Sequence, residues 1–306
     1  HPNVTLKTNA KVTELHTNPT GTAIKGVQAE VNNQTTMFTG HLVVLACGAV
    51  NSAALMLTSA NEQHPNGLAN HSDQLGRNLM KHLMTVIVKR AEQDNDGTFP
   101  ASVSINDFYW NDANYSNYAY PMGHIENSGG LYQDIIFAES PPLLSVLARL
   151  APTSALQRLA VRSIGWWAQT GVHPDPNNRI YLLPTRKRTK IRYEFTPNNL
   201  EAHDRLVYRW MGVLKASEQS GIGLRQSNVY PRGESPIQVV GYQCGTAKMG
   251  TDPETSVLDI NCRTHEIDNL YVVDSSFFPS CASVSPALTI MANALRVGEH
   301  LIERLR

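Results

Sequence analysis

The sequence offers no pair of cysteines at the close spacing that a zinc site or a redox motif needs. Cys47, Cys244, Cys262 and Cys281 stand far apart, and isolated thiols of this kind read as small buried packing residues. Charge imbalance is also missing: 26 Lys and Arg stand against 26 Asp and Glu, which removes the electrostatic argument for nucleic acid or an anionic membrane as partner. No apolar run reaches the roughly 18 residues of a membrane-spanning helix. Nothing reads as a signal peptide, although a chain that begins without methionine says little about its compartment. Internal repeats and low-complexity segments are likewise absent. What is there reads as a soluble globular protein. Its 306 residues, 42% hydrophobic and 17% charged, are enough to bury a sizeable core as one large domain or two. Sequons at Asn3, Asn33, Asn70 and Asn114 are short enough to arise by chance and matter only in a glycosylating host.

The densest signal lies near the C-terminus. Leu270-Tyr271-Val272-Val273 is an apolar, β-rich run suited to a buried strand, and Asp274 stands at its end, where open α/β sheets place ligands. A loop leads to Ser285-Pro286. Serine is a good N-cap and proline is favoured in the first turn, so a helix is predicted from there to about Leu305. Its N-terminus would present free N–H groups and partial positive charge to an electron-rich ligand edge. An ordinary strand, loop and capped helix with no ligand accounts for these residues equally well.

Upstream of this run stands Gly241-Tyr242-Gln243-Cys244-Gly245-Thr246-Ala247-Lys248-Met249-Gly250. Taken together, the two pieces resemble the C-terminal signature of the glucose-methanol-choline (GMC) flavoprotein oxidoreductases. That signature is roughly His-x-x-Gly-Thr-x-x-Met-Gly, then Val-Val-Asp, then Asn-Pro-x-x-Thr opening the last helix. Gly245-Thr246, Met249-Gly250, Val272-Val273-Asp274, Pro286 and Thr289 match in order. Two side chains depart. The position of the family's catalytic histidine is Tyr242, and that of its asparagine, or second histidine, is Ser285.

The rest of the chain is consistent with that resemblance. Strands are predicted at Val4 to Thr8, Lys11 to Leu15 and Ile24 to Val31, followed by a continuous apolar strand from Leu42 to Gly48. The segment from Gly48 to Ala60 resembles a second family signature, with Ala53 for a usual proline and Ala60 for a usual glycine. Gly76-Arg77-Asn78-Leu79 and His82 resemble the family's exit from the FAD domain, with Lys81 where an acid is usual; His82 by itself reads as structural. No Gly-x-Gly-x-x-Gly is present. Gly221-Ile222-Gly223 comes nearest but has Gln226 at the third position. Without that turn the main pyrophosphate anchor is missing, so the chain is expected to be the C-terminal part of a longer enzyme or one half of a split one.

Between Leu83 and about Gln238 an antiparallel substrate sheet is predicted, with strands at Leu83 to Val88, Tyr118 to Ile125, Ile180 to Leu183 and Lys190 to Phe195. Two helical stretches interrupt it. One runs from Pro142 to Leu150 and resumes from Ala155 to Val161; the other runs from Leu200 to Ser220, capped by Asn199, with Leu206, Trp210, Val213 and Leu214 as its buried stripe.

The expected fold is therefore α/β (α+β): a partial FAD-binding Rossmann-like domain with an antiparallel-sheet substrate domain. The expected division is 1–80 and 241–306 for the FAD-binding part and 81–240 for the substrate part. The resemblance implies FAD as cofactor, an alcohol or sugar as substrate, and an N-terminal half or an electron-acceptor protein as partner. It places Asp274, Ser275 and Pro286 at the cofactor, with Val12, Ala46 and Gly48 as further contacts nearer the N-terminus. Tyr242 and Ser285 occupy the catalytic pair of positions. Histidine suits the proton-accepting role because it titrates near neutrality. A phenol ordinarily titrates near about 10, so a tyrosine makes a poor base there unless positive charge assists it. Serine offers one hydroxyl in place of an amide and is open to use as a cap. A non-catalytic relative kept for binding or assembly, and a flavin-containing lyase, remain open alternatives.

Overall fold

The computed structural model describes residues 2–91, 94, 102–110, 118, 121–130, 152–183, 188–219, 224–229 and 242–306. β1 (Ala10–Thr17), β2 (Ile24–Val31) and β3 (Gln34–Phe38) form an antiparallel meander. Asn32 and Asn33, both at positive φ, reverse the chain between β2 and β3, a conformation asparagine tolerates and a right-twisted hairpin prefers. Residues 4–8, predicted as a strand, form no regular element, and Val4 and Leu6 are exposed. Asn9, at φ 52°, turns the chain off the extended path just before β1.

β4 (Val43–Leu45) and β12 (Leu270–Val272) are parallel neighbours, with Val43 opposite Leu270 and Leu45 opposite Val272. The apolar run from 42 to 48 thus yields a shorter strand than predicted, because α1 (Ala49–Thr58) starts immediately after Gly48. Asn269 ties this pair to the meander. Its Oδ1 accepts the Ile24 N–H at 2.7 Å, while its Nδ2 donates to the carbonyls of Ile24 (2.9 Å) and His41 (3.2 Å). One core draws on both ends of the chain: Leu15, Met56, Leu57, Leu75 and Leu79 pack with Leu258, Leu270, Tyr271 and Phe277.

β5 (Leu83–Ala91), β6 (Ser104–Ile105), β7 (His124–Gly130), β8 (Ser163–Thr170) and β11 (Leu224–Val229) form an antiparallel sheet in the order β11-β5-β8-β7-β6. α2 (Thr153–Val161) precedes β8, and β9 (Arg179–Leu182) and β10 (Thr189–Arg192) make a separate hairpin. The strand expected from Tyr118 begins only at His124. Gly123, at φ 151°, approaches the Gln169 carbonyl so closely that a Cβ would stand 2.1 Å from it. The strand expected to reach Phe195 stops at Arg192. The helical stretch predicted over 142–150 lies outside the described residues.

α3 (Pro197–Gln219) covers one face of the five-stranded sheet. Ile87, Ile125 and Ala168 pack on Ala202, Leu206, Trp210 and Leu214, and Trp166 meets Trp210 edge to face at 4.8 Å. Each fully buried side chain of this size contributes about 1.5–3 kcal/mol. Two expectations are corrected. Val213 is exposed, because the i, i+4 spacing of Leu206, Trp210 and Leu214 sets the buried row and leaves it beside that row. The helix also starts before Asn199, with Thr196 accepting the N–H groups of Asn199 at its Oγ1 (3.3 Å) and of Leu200 at its carbonyl (3.1 Å).

α4 (Ala287–Leu305) closes the chain, and its outward row of Leu288, Met291, Leu295, Ile302 and Leu305 is exposed. Two glycines give a direct test of the packing. Gly76, at φ 82°, is clamped between Thr246 and Ile180, and an added Cβ would stand 2.2 Å from the Ile180 carbonyl oxygen. Gly298 lies within α4 with nothing within 4 Å of that point. Gly76→Ala is expected to lower stability by more than about 2 kcal/mol, and Gly298→Ala to raise it by roughly 0.5–1 kcal/mol. Urea-unfolding midpoints measure both, and shifts of the same sign and size would contradict the assigned packing.

Candidate active site

β4 and β12 end side by side because their ladder continues one step, from Val273 N–H to the Leu45 carbonyl at 2.9 Å. This places Asp274 against the start of α1. Its Oδ2 accepts the Gly48 N–H (3.0 Å) and the Ser52 hydroxyl (2.5 Å); its Oδ1 accepts the N–H (2.9 Å) and hydroxyl (2.5 Å) of Ser276. Both carboxylate oxygens are occupied by protein donors. Asp274 therefore works here as a staple between two chain reversals, and any contact from it to a ligand would run through its backbone.

The Gly-Thr segment is laced to the other side of this staple. The N–H groups of Gly245, Ala247 and Met249 donate to the carbonyls of Ser275 (3.1 Å), Ser276 (3.0 Å) and Phe277 (3.0 Å). Buried Thr246 donates from its Oγ1 to the Ala49 carbonyl at 2.7 Å. Gly245, at φ 91°, passes so close to the chain at Asn78 that a Cβ would stand 2.4 Å from that carbonyl oxygen. Glycine and threonine at these positions are thus needed for close backbone packing.

A cleft of about 240 Å³ opens where these segments converge, lined by Cys47, Gly48, Ala49, Val50, Asn51, Tyr242, Gln243 and Ser275. Three sequence-predicted residues meet there: Gly48, Ser275 and Tyr242. Ser275 spends its hydroxyl on the Gln243 carbonyl at 2.6 Å. Val12 lies on β1, in the antiparallel meander. Ala46 is exposed just after β4, Ser285 is half-buried and Pro286 is buried before α4; none of these four is among the residues lining the cleft. The predicted cap is also corrected. Pro286, not Ser285, stands at the N-cap position, with no side-chain cap hydrogen bond, and its carbonyl accepts the Ile290 N–H at 2.9 Å.

The cleft suits an electron-rich group. Gly48 caps α1 at φ 83° with no side chain, the first turn of α1 holds no acidic residue, and no atom lies within 4 Å of where a Gly48 Cβ would point. The N–H groups of a first helical turn lack acceptors within the helix and face outward with partial positive charge. A flavin or ribityl oxygen fits that chemistry, so the residues present are compatible with holding part of FAD.

Tyr242 adopts φ 67° and is 42% exposed, with its ring 6.4 Å from that of His82. His82, read as structural from sequence, is buried behind it. The His82 Nε2 lies 2.7 Å from the Ala282 carbonyl and 3.3 Å from Cys281 Sγ, whereas its Nδ1 is buried without a hydrogen-bond partner. Burial opposes a charge on this ring, but its bonds to Cys281 and Ala282 and the nearby Glu126 carboxylate outweigh it and raise its pKa above the ordinary value. Glu126 belongs to a polar group on the sheet face turned away from α3. It accepts from Gln169 Nε2 (2.9 Å) and faces His124 Nε2 (3.2 Å), whose Nδ1 lies 2.9 Å from Asn106 Oδ1. Sequence reasoning missed this group, and the only sequence signal for it is that alternate residues of β7 are polar.

Because four hydrogen bonds converge on Asp274, Asp274→Ala is expected to lose roughly 2–4 kcal/mol of stability, and Ser52→Ala roughly 1 kcal/mol. Chemical denaturation reads both. A loss under about 0.5 kcal/mol for Asp274→Ala would mean that the donors find other acceptors.

Comparison with known proteins places this arrangement. Two models of one family, GMC oxidoreductase, match residues 1–84 and 174–294 and between them cover more than half of the chain. Among curated relatives, 6'''-hydroxyparomomycin C oxidase of Streptomyces lividus is 27% identical over 100% of this chain and 53% of its own length. The 2-methyl-1,2-propanediol dehydrogenase of Mycolicibacterium austroafricanum is 26% identical over 98% of this chain and 54% of its own. The chain thus spans about half the length of these relatives. Among solved structures, a formate oxidase of Aspergillus oryzae shares the fold with a TM-score of 0.69 at 15% identity, over 97% of this chain and 60% of that one. The chain belongs to the GMC oxidoreductase family.

Proposed function

We propose that this chain provides the substrate-facing and C-terminal parts of an FAD-dependent oxidoreductase acting on a CH–OH group of an alcohol or sugar. The observation that carries the reading is the cleft at the ends of β4 and β12, where Tyr242, Gly48 and Ser275 meet the start of α1. FAD, when bound, supplies the hydride acceptor. The start of α1 and Gly48 would hold an electron-rich part of it, and Asp274 keeps that surface in shape. Residues 1–80 and 241–306 would form the cofactor-binding part, supported by the core they share, and 81–240 the substrate part.

The proton of the substrate hydroxyl must pass to a group at the cleft. Tyr242 occupies that place, with Ser285 on the segment that follows Ala282, the carbonyl partner of His82. An N-terminal half is the proposed protein partner. The apolar row on α4 and exposed Val44 at β4 are the surfaces it would cover, and the half-length match to relatives supports it. An electron-acceptor protein is the alternative partner.

A second reading, a non-catalytic relative, is favoured by tyrosine and serine at the two catalytic positions. A flavin-containing lyase would use the same cleft. With no Gly-x-Gly-x-x-Gly turn to anchor the pyrophosphate, the purified chain is expected to perturb the visible flavin band in excess FAD and to lose most of the flavin when the excess is removed; no perturbation at any FAD concentration would count against a flavin surface at the start of α1. In flavin-loaded protein, Tyr242→His with Ser285→Asn is expected to raise alcohol oxidation at least about tenfold. Unchanged turnover on a panel of alcohols and sugars would count against the assigned catalytic positions, and turnover without net flavin reduction would favour the lyase.

A further inference from the structure

Cys244 and Cys281 are brought together by two antiparallel bridges. Met80 exchanges backbone hydrogen bonds with Cys244 at 2.9 Å in both directions, and Val172 N–H donates to the Cys281 carbonyl at 3.1 Å. The two side chains share a buried cluster with Met80 and Val172, flanked by Phe278. The two thiols are close enough to perturb one another's ionisation, and neither is in a disulfide. Cys281 has a second partner, the buried His82, whose Nε2 lies 3.3 Å from its Sγ and whose Nδ1 has no hydrogen-bond partner. A thiol serving only as a small hydrophobe would need no imidazole at hydrogen-bond distance.

We propose that Cys244 and Cys281 form a reversible redox pair that closes to a disulfide when a hydroperoxide reaches it. Cys281 is the attacking sulfur because it alone of the two faces His82. Hydrogen bonding from Cys244, then from His82, favours its thiolate against the opposing effect of burial and holds its pKa below the ordinary thiol range. The His82 Nε2–H, shared between the Ala282 carbonyl and the Cys281 sulfur, steadies the charge that develops on that sulfur. The Cys281 sulfur breaks the O–O bond of hydrogen peroxide, giving Cys281 sulfenic acid, while the second oxygen takes the thiol proton and leaves as water. The Cys244 thiol next displaces a second water from the Cys281 sulfur. Two thiols and one peroxide become one disulfide and two waters, with the peroxide reduced by two electrons.

The bond would join the two segments that bear the candidate catalytic positions. Cys244 follows Tyr242 by two positions and Cys281 precedes Ser285 by four, so oxidation would cross-link the two segments. The proposal stands whether or not the chain binds flavin, since both thiols and His82 belong to the protein itself.

The test uses the whole chain carrying Cys47→Ser, which removes the exposed thiol. After hydrogen peroxide treatment at neutral pH, thiols are counted in denaturant and peptides mapped without reductant. Expected is the loss of two of the three remaining thiols, a linked Cys244–Cys281 peptide, and full recovery with dithiothreitol. In Cys244→Ser, dimedone is expected to trap sulfenic acid on Cys281. In Cys281→Ser, oxidation of Cys244 is expected to slow at least about tenfold. Retention of all three thiols under peroxide that oxidises Cys47 in the unmodified chain would overturn the proposal, as would a disulfide through Cys262. If a serine variant does not fold, the peptide map of the chain with both cysteines still decides.

Discussion

The carboxylate of Asp274 receives donors from two stretches of chain that lie far apart in sequence, and the rest of the candidate site depends on it. Its two oxygens take the amide at the mouth of α1, a serine inside α1, and both donors of Ser276. A charged acceptor with all its nearby donors supplied is stable in a largely buried place, whereas an empty one would not be. Because β4 and β12 are short, their ladder alone holds them weakly. The staple makes the two strand ends one unit, and the Gly-Thr segment then packs on that unit through three backbone bonds.

From that unit the architecture spreads in two directions. On one side the meander is held by Asn269, and the shared core gathers leucines from both ends of the chain. On the other, the chain leaves through Met80, which pairs with Cys244, and enters the five-stranded sheet. The sheet buries one face under α3 and turns a polar group of His124, Glu126 and Gln169 the other way. The chain passes into the sheet through residues 80–83, where His82 sits.

The elements most legible in the sequence were those with local causes. The strand leading to Asp274, the apolar strand before Gly48 and the long last helix all follow from patterns a few residues wide, and the mixed α/β (α+β) class and the family follow from the order of the motifs. One boundary was lost to a distant neighbour, since β7 starts late because Gly123 meets Gln169; another was lost to a competing local signal, since Thr196 and not Asn199 accepts the first N–H groups of α3. The site was only partly legible for the first of these reasons. Gly48, Ser275 and Tyr242 meet in the cleft, but nothing local says that Asp274 is saturated by protein donors or that Val12 lies in the antiparallel meander, away from the cleft. His82 and Cys281 were legible only as single residues, since each acquires its partner across a long sequence separation.

Tyr242 sits in left-handed backbone, two residues ahead of the Cys244 bridge to Met80 and three ahead of Gly245, which is packed on Asn78. Asparagine, aspartate and histidine enter that region more readily than most side chains, and β-branched ones hardly at all. Histidine at this position is therefore no harder on the main chain than tyrosine. In the genetic code a single base separates tyrosine codons from histidine codons, and a single base likewise separates some serine codons from those of asparagine. Such a scaffold lies a short mutational walk from different chemistry, with no refolding on the way.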